Sequence, residues 1–314
     1  MNHDVWLSLS LWQSLSGIGA CRPLLLDLVC GFPGSTWREL MFRAEERGWL
    51  LQDPLEILPA SEIERARIEL CASLAKGWHL LTPMDAEYPA KLLKGMDPPL
   101  ALTVAGNPEV LQEPALAVVG SREPTQDSLT WMERELGAFC RRNRVVIVSG
   151  GARGIDQKAH SVALRNSCPT VAFLPSGLDE VYPSDFSAWT QSIIEGGGAV
   201  LSEYPNSHRM RRQNFHQRNR LIAAQAEATL IVEARPRSGT LITATRAAEI
   251  GRALWVVPAH PGHLSFGGNL QLLAEGGCMV RQNEDLTLFW QTERECFGPH
   301  ILPVEMCKPS HHHL

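Results

Sequence analysis

From residue 115 onward, short apolar runs alternate with longer stretches of helical periodicity, and this alternation is the feature that most constrains the fold. Each run is continuously apolar, which is typical of a strand buried on both faces of a sheet. Strands that are separated by helices pair in parallel. We therefore predict an α/β fold with a Rossmann-like, doubly wound and mostly parallel sheet. The predicted strands are residues 115–119, 145–148, 170–174, 199–201, 229–233 and 254–257.

The segments before this alternation follow other patterns. Residues 1–75 hold apolar residues at helical spacing, and Glu62 and Glu64 lie early in the last of these runs, where a helix favours acids. Residues 79–113 are rich in Pro and predict an irregular connector. The length of the chain allows about two domains. We predict a helical N-terminal domain at 1–75, a Rossmann-like core with its lead-in segment at 76–288, and a short C-terminal tail at 289–314.

Charge is distributed unevenly along the chain. The formal net charge is −5, which argues against a generally basic, histone-like nucleic-acid binder. Residues 1–113 carry 9 Lys and Arg against 15 Asp and Glu, whereas residues 114–288 carry 18 against 16. Within the second region, residues 204–226 contain five Arg and no acid. The overall charge therefore leaves room for a focused cationic site.

The cysteines and the termini bear on the compartment. None of the eight Cys forms a Cys-x-x-Cys pair, and no spacing indicates a zinc site, so we predict reduced thiols. The first residues lack the basic start of a signal peptide, and no apolar window is long enough for a membrane span. We predict a cytoplasmic protein without metal or cofactor. The three His at 311–313 are interpreted as part of a solvated tail.

The residues that follow several predicted strands are rich in Gly and Ser. Ligands of an open parallel sheet bind beyond the carboxyl ends of its strands. Gly permits close backbone approach, and helix N-termini favour anions. Because several strand ends share this composition, we predict a site for an extended polyanion. The segments are Gly120-Ser121-Arg122, Ser149-Gly150-Gly151-Ala152-Arg153-Gly154, Ser176-Gly177 and Ser238-Gly239-Thr240.

A cationic segment at 209–220 interleaves five Arg with Phe215, His216 and Asn side chains. Arg neutralises phosphates and stacks on bases, and Phe offers a stacking platform. This mixture favours single-stranded nucleic acid over a duplex. The alternative interpretation is a solvated basic loop with Phe215 in the core.

Other interpretations stay open at this point. A nucleotide-hydrolysing enzyme of similar fold would use strand-end carboxylates such as Glu203 and Glu233 as acid or base, although orienting Arg side chains or accepting backbone N–H groups is the simpler role. Asp156 and His160 lie four residues apart on a predicted helix, which favours a structural contact over a catalytic dyad. A third hypothesis is a protein–protein adaptor acting through the N-terminal helices. Gly17-Ile18-Gly19 between those helices is either a phosphate-binding hairpin or an ordinary helix-ending turn.

An ordered set of motifs spans residues 79–280. In chain order it comprises Tyr88-Pro89, Asp97-Pro98-Pro99, Gly120-Ser121-Arg122, Ser149-Gly150-Gly151-Ala152-Arg153-Gly154-Ile155-Asp156 followed by His160, Tyr182-Pro183, Ser202-Glu203-Tyr204-Pro205, Phe215-x-x-Arg218-Asn219-Arg220 and Arg237-Ser238-Gly239-Thr240-Leu241-Ile242-Thr243-Ala244. With this set the sequence resembles the DNA-processing protein A family, also called DprA or Smf. Two departures are Gly151, where the family has Leu, and His216, where it has Pro.

The resemblance implies a bacterial cytosolic protein of natural transformation. Such a protein binds incoming single-stranded DNA, protects it, loads the RecA recombinase onto it, and forms a homodimer through its Rossmann-like core. The resemblance also implies an N-terminal domain similar to SAM or helix-hairpin-helix domains, and no enzymatic activity. Many members carry a C-terminal winged helix, for which we expect no room in this chain.

The family's DNA pocket uses the Arg of Gly-Ser-Arg, a basic residue three before the Phe of the Phe-x-x-Arg-Asn-Arg motif, and that Phe. In this chain these are Arg122, Arg212 and Phe215. We expect phosphate contacts from five arginines, namely Arg122, Arg153, Arg212, Arg218 and Arg220, and base stacking on Phe215. The full set of predicted DNA-binding residues is Gly120, Ser121, Arg122, Gly150, Arg153, Gly154, Arg212, Asn214, Phe215, Arg218, Asn219, Arg220, Ser238, Gly239 and Thr240.

Overall fold

A computed structural model describes residues 3–15, 21–49, 51–95 and 97–296 of the chain. Within these residues, nine strands form one sheet. They are β1 (His79–Leu81), β2 (Leu102–Gly106), β3 (Ala115–Val119), β4 (Val146–Ser149), β5 (Thr170–Phe173), β6 (Ala199–Ser202), β7 (Ala228–Ile231), β8 (Ala253–Val256) and β9 (Cys278–Met279). Their order across the sheet is β1-β2-β6-β5-β4-β3-β7-β8-β9. The pairs from β6 to β9 are parallel, whereas β2 runs antiparallel to both of its neighbours.

The predicted Rossmann-like sheet is confirmed, and each of the six predicted strands matches a strand to within two residues at either end. The irregular connector predicted for residues 79–113 is wrong, because this segment holds β1, β2 and a short helix. β1 is too short to show a periodicity of its own. β2 is a buried apolar run, but prolines flank it on both sides and obscured it.

The N-terminal part of the chain forms helices, and further helices cover both faces of the sheet. In the N-terminal part they are α1 (His3–Ser14), α2 (Arg22–Gly31), α3 (Trp37–Glu46), α4 (Pro54–Ile57), α5 (Ala60–Ala75) and α6 (Ala90–Leu93). Around the sheet they are α7 (Gln126–Trp131), a π-helical turn (Met132–Leu136), α8 (Gly137–Arg142), α9 (Ile155–Arg165), α10 (Ser187–Glu195), α11 (Arg212–Gln225), α12 (Gly239–Glu249), α13 (Gly267–Ala274) and α14 (Asn283–Cys296). Short 3₁₀ helices lie at Pro108–Gln112, Ser184–Phe186 and Leu264–Phe266.

Alternate residues of the buried strands point to opposite layers of helices. Ala117 of β3 belongs to a core formed with α11 and α12, whereas Leu116 belongs to a second core formed with α8, α9 and α14. Trp290 of α14 is buried against Phe139 and Trp255, with ring centroids 6.0 and 6.4 Å apart. Helix α14 therefore crosses the predicted boundary at 288, and we propose that the core includes this whole helix.

The N-terminal helices pack on the β1–β2 side of the sheet. The indole N–H of Trp6 donates to Leu102 O of β2 at 3.2 Å, and Gln13 donates to Ala101 O at 3.0 Å. Among these helices, α3 begins directly after Thr36, whose side chain caps it, and Glu39 completes a capping box with Thr36. The predicted domain division at residue 75 stays a proposal.

Candidate nucleic-acid interface

An exposed stack of one arginine and two aromatic rings lies where the carboxyl edge of the sheet meets the start of α11. The guanidinium of Arg122, in the loop after β3, lies 4.5 Å from the ring centroid of Phe215. The ring of Tyr182 meets Phe215 edge-on, with centroids 5.8 Å apart and planes at 76°. Tyr182 is 40% exposed, Phe215 is half-buried and Arg122 is exposed. This arrangement offers a cation and two π-systems to solvent at one place.

Helix α11 begins at Arg212, whereas the apolar pattern of the sequence indicates a helix only over residues 219–225. The side-chain oxygen of Asn214 accepts the backbone N–H of Arg211 at 2.7 Å and so fixes the first turn. Arg211 and Arg212 are exposed there, whereas Asn214 is 2% exposed. The fold therefore brings Arg212 to the same edge as Phe215, and we propose that Asn214 acts as a cap rather than as a DNA contact.

Arg218, one turn further along α11, is 2% exposed. Its Nη1 donates to the carbonyls of Gly150 and Phe173, at the ends of β4 and β5, at 2.5 Å each. A Cβ on Gly150 would lie 2.0 Å from this Nη1, so the close approach requires glycine. Burial lowers the pKa of Arg218 to about 10, which leaves it charged at neutral pH. We propose that Arg218 positions the strand ends and does not contact phosphate.

A buried acid lies close to Arg218. Burial raises the pKa of Asp156 to about 6, and the charge of Arg218 acts in the opposite direction. Backbone N–H groups of Ala152 and Gly150 also bond the Asp156 carboxylate. His160, predicted as a structural partner of Asp156, instead hydrogen-bonds Thr170 Oγ1 through Nδ1 at 2.7 Å. Asp156 and Arg218 therefore stabilise the turn after β4 from its buried side.

Arg220 is likewise engaged by the protein itself. Its Nη1 and Nη2 donate to the two carboxylate oxygens of Glu203 at 2.7 and 2.6 Å, and its Nε donates to Asp97 O at 2.8 Å. Burial lowers the pKa of Arg220, but the Glu203 carboxylate outweighs burial and raises it above the ordinary value. The predicted role of Glu203 in orienting an arginine is confirmed. Its partner Arg220 has little capacity left for phosphate, so we propose a positioning role for it too.

Two loops at the sheet edge pack backbone against backbone. Ile155 N–H donates to Ser121 O at 3.0 Å, and Gly154 has a φ of +83°. A Cβ on Gly154 would lie 2.3 Å from Ser121 O. Gly120 and Gly154 therefore allow the two loops to meet, and Arg122 extends from this junction. Arg153 extends into solvent beside Asp185, with Nε 3.0 Å from the carboxylate.

The start of α12 completes the edge. The side-chain amide of Asn219 donates to Gly239 O at 3.4 Å, which joins α11 to α12. Ser238 Oγ is buried and has no hydrogen-bond partner within the described part of the chain. Thr240 is 8% exposed. The edge thus brings together the predicted residues of four segments, at 120–122, 150–154, 212–220 and 238–240, although Asn214, Arg218 and Arg220 face the protein.

The remaining sequence interpretations have different outcomes: one is confirmed, one residue was not predicted, and two segments are not described. Glu233 accepts the backbone N–H of Thr125 at 2.8 Å, which confirms its predicted structural role. Tyr182 belongs to the Tyr182-Pro183 motif but was not predicted as a site residue, and it lies against Phe215. Gly17-Ile18-Gly19 and the His tail lie outside the described residues.

Two further observations concern metals and membranes. Across the described ranges, no group of three or more His, Cys, Asp and Glu side chains lies close enough to hold a metal ion. None of the helices described is both long and apolar enough to cross a bilayer.

Comparison with known proteins gives a family match. The model of the family described as DNA recombination-mediator protein A matches residues 79–291. Protein Smf of Escherichia coli is 37% identical over 226 residues, covering 72% of this chain and 59% of that protein. Protein Smf of Synechocystis is 36% identical over 215 residues, covering 67% of this chain and 54% of its own length. The chain therefore spans less than two thirds of these relatives.

Two solved structures share the fold. The X-ray structure of DNA processing protein A from Streptococcus pneumoniae matches with a TM-score of 0.66 and 32% identity, over 79% of this chain and 90% of that one. DNA processing protein A from Helicobacter pylori, whose structure is described as giving insight into a single-stranded DNA binding mode, matches with a TM-score of 0.62 and 27% identity. That match covers 69% of this chain and 96% of the other.

Proposed function

Because the chain belongs to the DNA recombination-mediator protein A family, we propose that it binds single-stranded DNA at the carboxyl edge of its sheet. The observation that carries this proposal is the exposed stack of Arg122, Phe215 and Tyr182 beside the first turn of α11. A base stacks on an aromatic face, and an arginine beside it neutralises the adjacent phosphate.

Single-stranded rather than double-stranded DNA suits this site. Bases in a duplex are stacked on one another, so that aromatic side chains cannot reach their faces without unstacking them. Phe215 is half-buried and can offer one edge or face of its ring to a base. The exposed Arg211 and Arg212 lie beside it, where the backbone of a DNA single strand would continue. We assign phosphate contacts to Arg122, Arg153 and Arg212, and base stacking to Phe215 and Tyr182.

The partners and the setting follow from family membership as further proposals. We infer that the protein acts in the cytoplasm in natural transformation, protects incoming single strands and loads RecA onto them, without itself catalysing a reaction. We also infer a homodimer formed through the Rossmann-like core. Strand β9 ends the sheet within the described residues, and Met279 on it is 49% exposed, which supports an interface at this side.

A nucleotide-hydrolysing enzyme would need a free acid or base at the strand ends. Glu203 binds Arg220, and Glu233 Oε2 accepts hydrogen bonds from Thr125 and Ser128. Both carboxylates therefore have structural partners, and this alternative gains no support from them.

The test is binding of a fluorescent oligothymidine at low salt. We expect saturable binding by the full chain and a loss of affinity of about 1–3 kcal/mol in Phe215→Ala. The matched control is Phe42→Ala, since Phe42 of α3 is 61% exposed and lies on a different helix, far from this edge in sequence. Absence of binding by the wild type, or release of free base from nucleoside monophosphates, would overturn the proposal.

A further inference from the structure

Two buried thiols meet at the amino edge of the sheet, opposite the proposed DNA site. Cys140 lies on α8, and Cys168 lies just before β5, 28 residues further along the chain. The Cys168 thiol lies 3.5 Å from Cys140 O and 3.4 Å from Val145 O. The two thiols also share a hydrogen bond with each other. The fold has therefore paired two cysteines that the sequence spacing does not connect.

A cavity gives this pair a route to small solutes. Its volume is about 310 Å³, and both Cys140 and Cys168 lie in its wall. The rest of the wall mixes polar residues, among them Asn107, Glu109 and Asn143, with valines such as Val110. A cavity of this size holds several water-sized molecules, although each cysteine is at most 5% exposed. A small polar oxidant can therefore enter the cavity whose wall the two thiols share.

We propose that Cys140 and Cys168 form a dithiol site that small hydroperoxides oxidise to a disulfide. The hydrogen bond from Cys140 lowers the pKa of Cys168, while that bond and burial raise the pKa of Cys140. We assign the attack to Cys168 and the resolving step to Cys140, and the single-cysteine variants described below test this order.

The reaction balances without any further reactant. The Cys168 thiolate attacks the terminal oxygen of the hydroperoxide, the O–O bond breaks, and the alkoxide leaves with a proton as alcohol or, from hydrogen peroxide, as water. The resulting sulfenic acid is attacked by the Cys140 thiol, a sulfur–sulfur bond forms, and water leaves. Two thiols lose two hydrogens in all, and one hydroperoxide is reduced.

The experiment treats the reduced, full-length protein with a stoichiometric amount of hydrogen peroxide. Remaining thiols are then alkylated in denaturant, and tryptic peptides are analysed by mass. We expect peptide 135–141 to be joined to peptide 166–209, with loss of both thiols in equal amounts. Cys71, an exposed cysteine of α5, serves as the internal comparison. Recovery of Cys140 and Cys168 as free thiols while Cys71 is oxidised would overturn the proposal.

Two variants make the assignment of roles testable. In Cys140→Ser we expect sulfenic acid to accumulate on Cys168, detected by a dimedone adduct, because the resolving thiol is missing. In Cys168→Ser we expect Cys140 to stay unmodified at the same peroxide dose. Equal adduct formation on the remaining cysteine of both variants would contradict an ordered pair.

Discussion

The two ends of the arginine-rich segment at 209–220 differ, although they carry the same side chain. Arg209 is 85% exposed in its side chain, and Arg211 and Arg212 are exposed at the start of α11. Arg218 is 2% exposed, and the side chain of Arg220 is 12% exposed. The first group faces solvent at the sheet edge, whereas the second donates to carbonyls and carboxylates of the protein.

The difference follows from the geometry of one helix. Residues three and four apart share a face of a helix, and the buried face of α11 therefore continues from its apolar end into its polar start. The buried residues on this face are Asn214, Arg218, Leu221, Ile222 and Gln225. A count of positive charge consequently overstates the number of arginines that can meet phosphate. Arg218 and Arg220 hold the strand ends and the Glu203 carboxylate in place, whereas the exposed arginines remain accessible to solvent.

The largest expected effect is on stability and concerns the buried group. Arg218→Met leaves the Gly150 and Phe173 carbonyls without their donor and removes the cation that acts most strongly on Asp156, so the free energy of unfolding should fall by about 3–5 kcal/mol. The matched control is Arg212→Met on the same helix, which should change it by less than about 0.5 kcal/mol. The free energy of unfolding is measured by urea unfolding. An equal decrease in the two variants would contradict the proposed division between buried and exposed arginines.

A second expected effect concerns the pH dependence of stability. Burial raises the pKa of Asp156 from 3.8 to about 6, so its contribution to stability is present below pH 3.8 and is lost as the pH rises through about 6. Burial lowers the pKa of His160 from 6.5 to about 3, so its contribution is gained as the pH rises toward 6.5. The two contributions oppose each other between about pH 4 and 6.

The variant Asp156→Asn removes the contribution of Asp156 to the pH dependence of stability and leaves that of His160. Relative to the wild type, its free energy of unfolding should rise by about 1.4 kcal/mol per pH unit between about pH 4 and 6. Urea unfolding at several pH values in this window measures the slope. Parallel curves for the two proteins would show that this acid does not keep its proton in the folded state.

A smaller effect is expected at the exposed end. Tyr182→Ala removes one ring of the stack against Phe215 and should weaken oligothymidine binding by about 1 kcal/mol, or roughly fivefold. Tyr182→Phe keeps the ring and serves as the control, with affinity close to that of the wild type. If Tyr182→Phe loses as much affinity for oligothymidine as Tyr182→Ala does, the hydroxyl rather than the ring makes the contact with DNA.

The sequence predicted the sheet well because its strands are continuous apolar runs, as in residues 115–119. It predicted the last half of α11 but not the first, because residues 212–218 are polar apart from Phe215 and show no apolar periodicity. The strands of the 79–113 segment were missed for a different reason. β1 and β2 belong to the sheet through antiparallel pairing with distant residues, such as Thr103 with Ser202, which local pattern does not reveal.

The sequence predicted which residues the fold brings to one edge of the sheet, but not which of them are buried. Resemblance and Gly-rich strand ends placed the candidate site at the carboxyl edge of the sheet, and Arg122 and Phe215 do lie together there. Arg212 and Arg218 carry identical side chains, and the register of α11 decides which of them is buried. Once the helix is known to begin at Arg212, the stripe of Asn214, Arg218 and Ile222 is the signal that distinguishes them.

The salt dependence of binding tests most directly whether the exposed arginines bind phosphate. Affinity for oligothymidine is measured at several salt concentrations for the wild type, for Arg212→Ala and for Arg144→Ala, which removes a 79% exposed arginine at the opposite edge of the sheet. We predict that the log–log slope becomes shallower by about 0.7 in Arg212→Ala, as for one lost phosphate contact on a single strand. In Arg144→Ala the slope should stay that of the wild type. An unchanged slope in Arg212→Ala, or an equal change in both variants, would contradict the proposed division between the two groups of arginines.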